Sequence, residues 1–181
     1  RMARFDDLLK FARVHNVKIA SIEDLISYRL KNEKLIINSA SKSITIKRFG
    51  RFDLKIFKNK LDNMEHYVLK KGKFKSTKPT RVRVISINIF NNLINFNSPV
   101  LKKSLKHLSR FNNFALIIIK NNSSSDIENT KSNSILRYYG IGAQIIKDLK
   151  IKNMILVTRS KKKIIGLDGY DIKIVKQEII K

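Results

Sequence analysis

The stretch from Ile135 to Gly169, ILRYYGIGAQIIKDLKIKNMILVTRSKKKIIGLDG, leaves this chain the fewest choices of fold. Tyr139-Gly140-Ile141-Gly142-Ala143-Gln144 opens a helix. Met154 to Val157 is a short apolar run of strand length that stops at Thr158. A lysine-rich loop and a glycine turn follow. Helix, buried strand and loop in this order call for layers in which helices cover a sheet. In such folds ligand contacts gather in the loops beyond the carboxyl ends of the strands. The segment after Thr158 is therefore where a site is sought.

The rest of the chain supplies the other elements. Phe5, Leu8, Leu9 and Ala12 recur at helical spacing and predict a helix that ends at His15-Asn16. Val17 to Ile19 suggests a short strand. Ser21-Ile22-Glu23-Asp24 reads as a capping box with Asp24 in the place of the usual Glu. A second helix is expected from there to about Asn32. Residues 37–43 are Ser/Lys-rich and read as a linker between two domains, 1–36 and 44–181, with Ile44, Ile46 and Phe49 suggesting the start of a strand. Phe52, Leu54 and Ile56 alternate with polar residues, as do Ile85, Ile87 and Ile89 within Thr80 to Phe90, and Glu65 to Gly72 forms another strand and turn. Leu101, Leu105 and Leu108 have helical spacing. Phe114 to Ile119 is apolar throughout, the mark of a strand buried on both faces. Asn121 to Ser134 has no periodicity and reads as a flexible loop. Ile172 to Val175 is the last strand. The fold class is α/β (α+β), a mixed sheet with flanking helices.

The chain contains no cysteine, which excludes disulfides, thiolate metal sites and cysteine nucleophiles. No apolar run reaches the length of a membrane span, and the first residues lack the apolar core of a signal peptide. A cytoplasmic protein is the expectation, and Arg1 in place of an initiator Met suggests a processed product or a fragment. The formal charge is +25. Phosphate neutralisation on a nucleic acid is one reading of it. The basic residues, however, are scattered through every element and are not interleaved with aromatics as on a stacking platform. Lys, Ile and Asn dominate together, so compositional drift is the favoured reading and nucleic acid is not the expected partner.

Met2-Ala3-Arg4, Phe11-Ala12 and Ile22-Glu23-Asp24-Leu25-Ile26-Ser27-Tyr28-Arg29 resemble the C-terminal end of 3,4-dihydroxy-2-butanone 4-phosphate synthase, an enzyme family of riboflavin biosynthesis. The resemblance covers residues 1–36. The family's acidic catalytic and magnesium-binding residues lie upstream of this point. Asp6, Asp7, Glu23 and Asp24 are read instead as helix-terminus charges.

A second resemblance covers residues 44–181. Glu65-His66 with Lys71-Gly72, Val82-Arg83-Val84 with Ser86, Tyr139 to Gln144, and Leu156-Val157-Thr158 with Lys162-Lys163, Gly166-Leu167 and Gly169-Tyr170 are similar to blocks of GTP cyclohydrolase II. That family opens the imidazole ring of GTP with a zinc-activated water, the zinc being held by three cysteines. Without a gap, the cysteine positions fall on Asn88, Pro99 and Leu101, and none of these supplies a thiolate. His66 and His107 are too far apart in sequence to suggest a substitute. The family's His and Glu beside Arg83 correspond to Ile85 and Ile87. Arg137 matches the family's nucleophilic arginine, but the position of its general-base Asp is Ile135, which cannot move a proton.

The resemblance thus implies a degenerate GTP cyclohydrolase II-like domain behind the tail of a synthase. Arg83, Thr158 and Lys163 match positions that contact GTP in the family and are the expected nucleotide-binding remnant. The blander alternative is that Thr158 caps a strand and Lys163 is one of three solvated lysines. Retained single contacts rarely hold a ligand alone, so GTP is a weak candidate. No catalytic residue, no metal and no cofactor is expected in the chain, although the family uses zinc and magnesium. The expected partners are a second copy, in a homodimer, and an upstream synthase domain that this one scaffolds or regulates. The competing expectations are an active cyclohydrolase with an altered metal site and a basic nucleic-acid-binding module.

Overall fold

A computed structural model of the chain describes residues 3–21, 24–25, 28, 32–75, 77–88, 98–121, 131–161 and 170–180, with Asn88 and residues 131–139 described by backbone alone. Two compact units divide between Glu33 and Lys34. In the first, helix α1 spans Phe5–His15 and stops where Asn16 turns left-handed (φ 50°), with Val17 N–H donating back to Ala12 O at 3.0 Å. The Arg4 N–H donates to the Asp7 carboxylate at 3.0 Å, so the acidic first turn serves the helix end. Ser21 and Asp24 form the expected box: Asp24 N–H donates to Ser21 Oγ at 3.0 Å and Ser21 N–H donates to Asp24 Oδ2 at 3.3 Å. The Ser21 hydroxyl, which donates to Asp24 Oδ2 at 2.6 Å, and then the Ser21 N–H hold the Asp24 carboxyl below its ordinary value. Residues 24–25, 28 and 32 are helical. Val17 to Ile19 is not a strand: these residues are exposed and no ladder partner is offered to them among the described residues.

The second unit is a seven-stranded mixed sheet in the order β1-β2-β3-β5-β4-β6-β7. Its strands are β1 (Ile36–Ile46), β2 (Gly50–Asn59), β3 (Glu65–Lys71), β4 (Thr80–Asn88), β5 (Phe114–Asn121), β6 (Asn153–Thr158) and β7 (Lys173–Ile179). β1, β2, β3 and β5 pair antiparallel, while β5, β4, β6 and β7 pair parallel. Parallel neighbours need crossovers. Helix α2 (Pro99–Leu108) carries the chain from β4 to β5, and helix α3 (Lys131–Asp148) carries it from β5 to β6.

Three expectations are corrected here. Residues 37–43 are not a linker; they are the middle of β1, whose ladder with β2 runs from Ile36 to Ile46. The strand was hidden because it is exposed on both sides, so nothing forces apolar and polar residues to alternate. Residues 131–134 are not loop, and the helix does not open at Tyr139: α3 already runs from Lys131. Its first turn, Lys131-Ser132-Asn133-Ser134, contributes no apolar residue and therefore no periodic signal. Residues 122–130, the rest of the expected loop, lie outside the described residues.

Neighbouring residues on a strand face opposite sides of the sheet. Ile85 of β4 joins a core cluster with Phe52, Leu69, Phe114, Leu116 and Val157 under Leu105 and Leu108 of α2. Adjacent Val84 faces α3, where a Cβ on Gly142 would lie 3.7 Å from Val84 Cγ1 and 3.8 Å from Ile119 Cδ1. The two helices therefore cover opposite faces. β5 lies between β3 and β4 and is buried at Phe114, Ala115, Leu116, Ile117 and Ile119, as its unbroken apolar run predicts. Gly72 turns the chain out of β3 at φ +80°, and any Cβ there would strike the Asn112 carbonyl oxygen.

Candidate functional site

The residues on the α2 face of β4 are Arg81, Arg83, Ile85 and Ile87, at the strand's period of two. The first two are cations with different surroundings. Arg81 forms a fork with Glu178 of β7, Nε to Oε2 at 3.1 Å and Nη2 to Oε1 at 2.9 Å. Its guanidinium also lies 3.6 Å from the centre of the Phe111 ring. His107 Nε2 stands 3.5 Å from Glu178 Oε2. Burial would push the Glu178 carboxyl up, but the bonds and charge of Arg81, with His107 beside them, outweigh burial and hold it below the ordinary carboxylate value. This cluster is a clamp joining β4, α2 and β7.

Arg83 lies two residues further along β4, beside α2 and β6. It is 4% exposed, and its Nε donates to Ser104 Oγ at 2.6 Å. Its Nη1 donates to the Val157 carbonyl at 3.2 Å. Ser104, itself fully buried, donates to Val100 O at 2.6 Å, so the serine bridges the guanidinium to α2. No described carboxylate pairs with Arg83. Burial, and then the charge of Arg159, pull its guanidinium below the ordinary arginine value. Arginine keeps its proton in proteins, so the charge stays in the interior.

Arg83 forms the floor of a cleft of about 400 Å³, with Pro99, Val100 and Lys103 of α2, Arg159 after β6 and Ile180 after β7 as the other described walls. The cleft sits beyond the carboxyl ends of β6 and β7, the place that an α/β fold reserves for ligands. Ser98 caps α2, its Oγ accepting from Leu101 N–H at 3.3 Å, and that helix end opens toward the cleft.

The sequence-expected residues fall unevenly around this cleft. Arg83 belongs to it. Thr158 ends β6 next to Arg159; its hydroxyl donates to Ser160 O at 2.6 Å and its carbonyl accepts from Ile180 N–H at 2.9 Å, which is local strand-end work. Arg137 lies on α3, described by backbone alone, and Lys163 lies outside the described residues. Lys103 and Arg159 were missed. Their signals were two lysines following Ser98-Pro99 with no acid in the first turn, and an arginine one residue past a buried strand.

The zinc of the resembled family does not fit these side chains. Asn88 is paired along the backbone with Asn121 at the end of the β4–β5 ladder, Pro99 is the first residue of α2, and Leu101 packs against the core cluster. Ile85 is in that cluster and Ile87 packs against it, so the positions of the family's His and Glu are apolar core. His66 is buried in β3, its Nδ1 accepting from Lys120 N–H at 3.3 Å, and His107 belongs to the clamp. No three His, Asp or Glu side chains assemble a metal site among the described residues.

Gln144, from the Tyr139-to-Gln144 motif, has a structural task. Its Oε1 accepts from the Leu35 N–H at 3.0 Å, at the entry to β1. Burial pushes the nearby Tyr170 phenol up to about 12, with Gln144 pulling the other way.

Comparison with known proteins points one way. Residues 38–131 and 125–178 match the family described as GTP cyclohydrolase II. The chain is 31% identical over 206 residues to the riboflavin biosynthesis protein RibBA of Aquifex aeolicus (strain VF5), covering 99% of this chain and 50% of that protein. RibBA of Bacillus cereus (strain ATCC 14579) is 30% identical over 201 residues, with 97% and 50% covered. Among solved structures, RibBX of A. baumannii, a two-domain 3,4-dihydroxy-2-butanone 4-phosphate synthase, superposes with a TM-score of 0.67 at 26% identity, over 99% of this chain and 50% of that one. The chain thus spans about half the length of these relatives.

Proposed function

The chain belongs to the GTP cyclohydrolase II family, and from that premise we propose that it is a non-catalytic member, serving a 3,4-dihydroxy-2-butanone 4-phosphate synthase domain as scaffold or regulator in riboflavin biosynthesis. The observation that carries this reading is the placement of Pro99 and Leu101. One starts a helix against the cleft and the other packs on the core, so restoring metal ligands would mean repacking α2. The apolar environment of Ile85 and Ile87 supports the same conclusion, because proton transfer needs a titratable group within hydrogen-bond reach. The matches to RibBA and to a two-domain synthase support a role beside the synthase. A homodimer built through this domain is part of the proposal, and GTP is not its substrate.

Purified chain supplied with GTP, with and without added zinc, is expected to release no formate above the buffer rate. Turnover accompanied by stoichiometric zinc overturns the proposal. In a protein that carries a synthase domain ahead of this segment, truncation after Glu33 is expected to lower the melting temperature and the synthase rate. Unchanged synthase behaviour after truncation removes the supporting role.

A further inference from the structure

The cleft has the wrong sign for a metal and the right one for an anion. Its described walls present Arg83, Lys103 and Arg159 and no carboxylate. Arg83 is 4% exposed, and its partners, the Ser104 hydroxyl and the Val157 carbonyl, offer dipoles rather than charge. A buried cation without a counter-charge is unfavourable, and the neighbouring guanidinium of Arg159 adds to the imbalance. Helix α2 enlarges it. Its N-terminal end carries the positive end of the helix dipole, its first turn holds no acid, and Lys102 and Lys103 follow. Lys103 and Arg159 are exposed and can swing to a ligand, while Arg83 is fixed from behind by Ser104 and β6.

We propose that this cleft binds a small phosphorylated metabolite through its phosphate, held by Arg83, Lys103 and Arg159 at the start of α2, without recognition of a purine base. The proposal rests on the reading that zinc chemistry has left this domain. The phosphate follows from the charge: guanidinium groups offer paired N–H donors that match its oxygens, and lysine adds a mobile point charge. The indifference to a base follows from the other walls. Among the described residues, those walls are Pro99, Val100 and Ile180, which provide no aromatic face for stacking and no carboxylate for the N–H edge of guanine. A cleft of about 400 Å³ is near the lower end of ligand-pocket sizes, which suits a sugar phosphate better than a nucleoside triphosphate.

Calorimetric titration of the full chain in chloride buffer at fixed ionic strength tests it, with inorganic phosphate, pyrophosphate, ribose 5-phosphate and GTP as probes. Saturable one-to-one binding of ribose 5-phosphate or pyrophosphate is expected, with GTP no tighter than pyrophosphate. The double variant Lys103→Ala/Arg159→Ala should lose at least tenfold in affinity while its circular dichroism spectrum stays that of the parent. Lys42→Ala/Lys58→Ala removes the same charge from exposed positions on β1 and β2 and should change affinity less than twofold. Equal losses in the two double variants would assign binding to diffuse attraction by the net charge and overturn the site. GTP binding tenfold tighter than pyrophosphate, or no saturable binding of any probe, overturns it as well. Formate release is a separate readout: turnover sinks the lost-zinc reading, whereas absent phosphate binding without turnover sinks only the anion site.

Discussion

β1 faces solvent for most of its length, with Ile36 its one buried residue, whereas β5 buries Phe114, Ala115, Leu116 and Ile117 in succession. The two strands belong to one sheet and differ in what holds them. β1 is the edge of the antiparallel half and is secured by its ladder to β2. β5 pairs antiparallel with β3 and parallel with β4, and it has α2 on one face and α3 on the other. The parallel half therefore carries the cleft and shares the packing with Phe52, Phe57, Val68 and Leu69 of β2 and β3, while β1 extends the sheet. Function could change in the loops beyond β6 and β7 without loss of fold, because the burial that stabilises the domain lies elsewhere.

That contrast predicts the largest mutational difference. Leu116→Ala removes a fully buried side chain and should destabilise the protein by about 3 kcal/mol. Ile44→Ala on β1, where the side chain is only partly buried, should cost about 1 kcal/mol. Urea denaturation of the two variants measures both. Equal losses would show that the edge strand is as deeply packed as the centre, and the division of labour between the halves would fall.

The contrast also explains what could be read from the sequence. β5 was legible because a strand covered on both faces must be apolar at every position. β2 and β4 were legible by alternation, and α2 by Leu101, Leu105 and Leu108. β1 was legible only at its Ile44 and Ile46 end, since a strand exposed on both faces leaves Ser39, Ser41 and Ser43 free to look like a connector. In the cleft, Arg83 was named from a resemblance, but its true neighbours were out of reach. Ser104 is 21 residues away and Val157 is 74 residues away, and only the crossover through α2 and the β4–β6 pairing brings them together. Lys103 and Arg159 looked like two more lysine-rich surface positions until the fold put them on one wall.

A smaller effect tests how firmly the last strand is attached to the parallel half. Glu178→Gln leaves the Arg81 fork without its charge and should cost about 1.5 kcal/mol at neutral pH. The sign of the pH dependence follows from the depressed carboxyl. A group whose folded value lies below its ordinary 4.5 contributes its full stability above 4.5 and loses it as pH falls through the lower folded value. The parent protein should therefore lose stability below about pH 4.5, and the variant should show a shallower loss over that window. Thermal melts at a series of pH values check this; identical acid profiles would mean that Glu178 is not the titrating partner.

The smallest effect lies at the entry to β1, where α3 reaches the hairpin half. Two contacts tie this point to α3. The Leu35 N–H donates to Gln144 Oε1 at 3.0 Å, in a partly buried setting, and Lys34 Nζ lies 3.9 Å from Asp148 Oδ1 with its side chain 74% exposed. The first is directional and shielded from water, and its loss strands a backbone donor. The second is long, solvated and screened by salt. Gln144→Ala should therefore cost about 1 kcal/mol, and Lys34→Ala no more than about 0.3 kcal/mol. Raising the salt concentration should leave the first difference unchanged and erase the second. If Lys34→Ala proved the more damaging, charge rather than hydrogen bonding would be what couples the hairpin half to the parallel half. The edge strand's attachment would then weaken with ionic strength, and the proposed scaffold role would be salt-dependent as well.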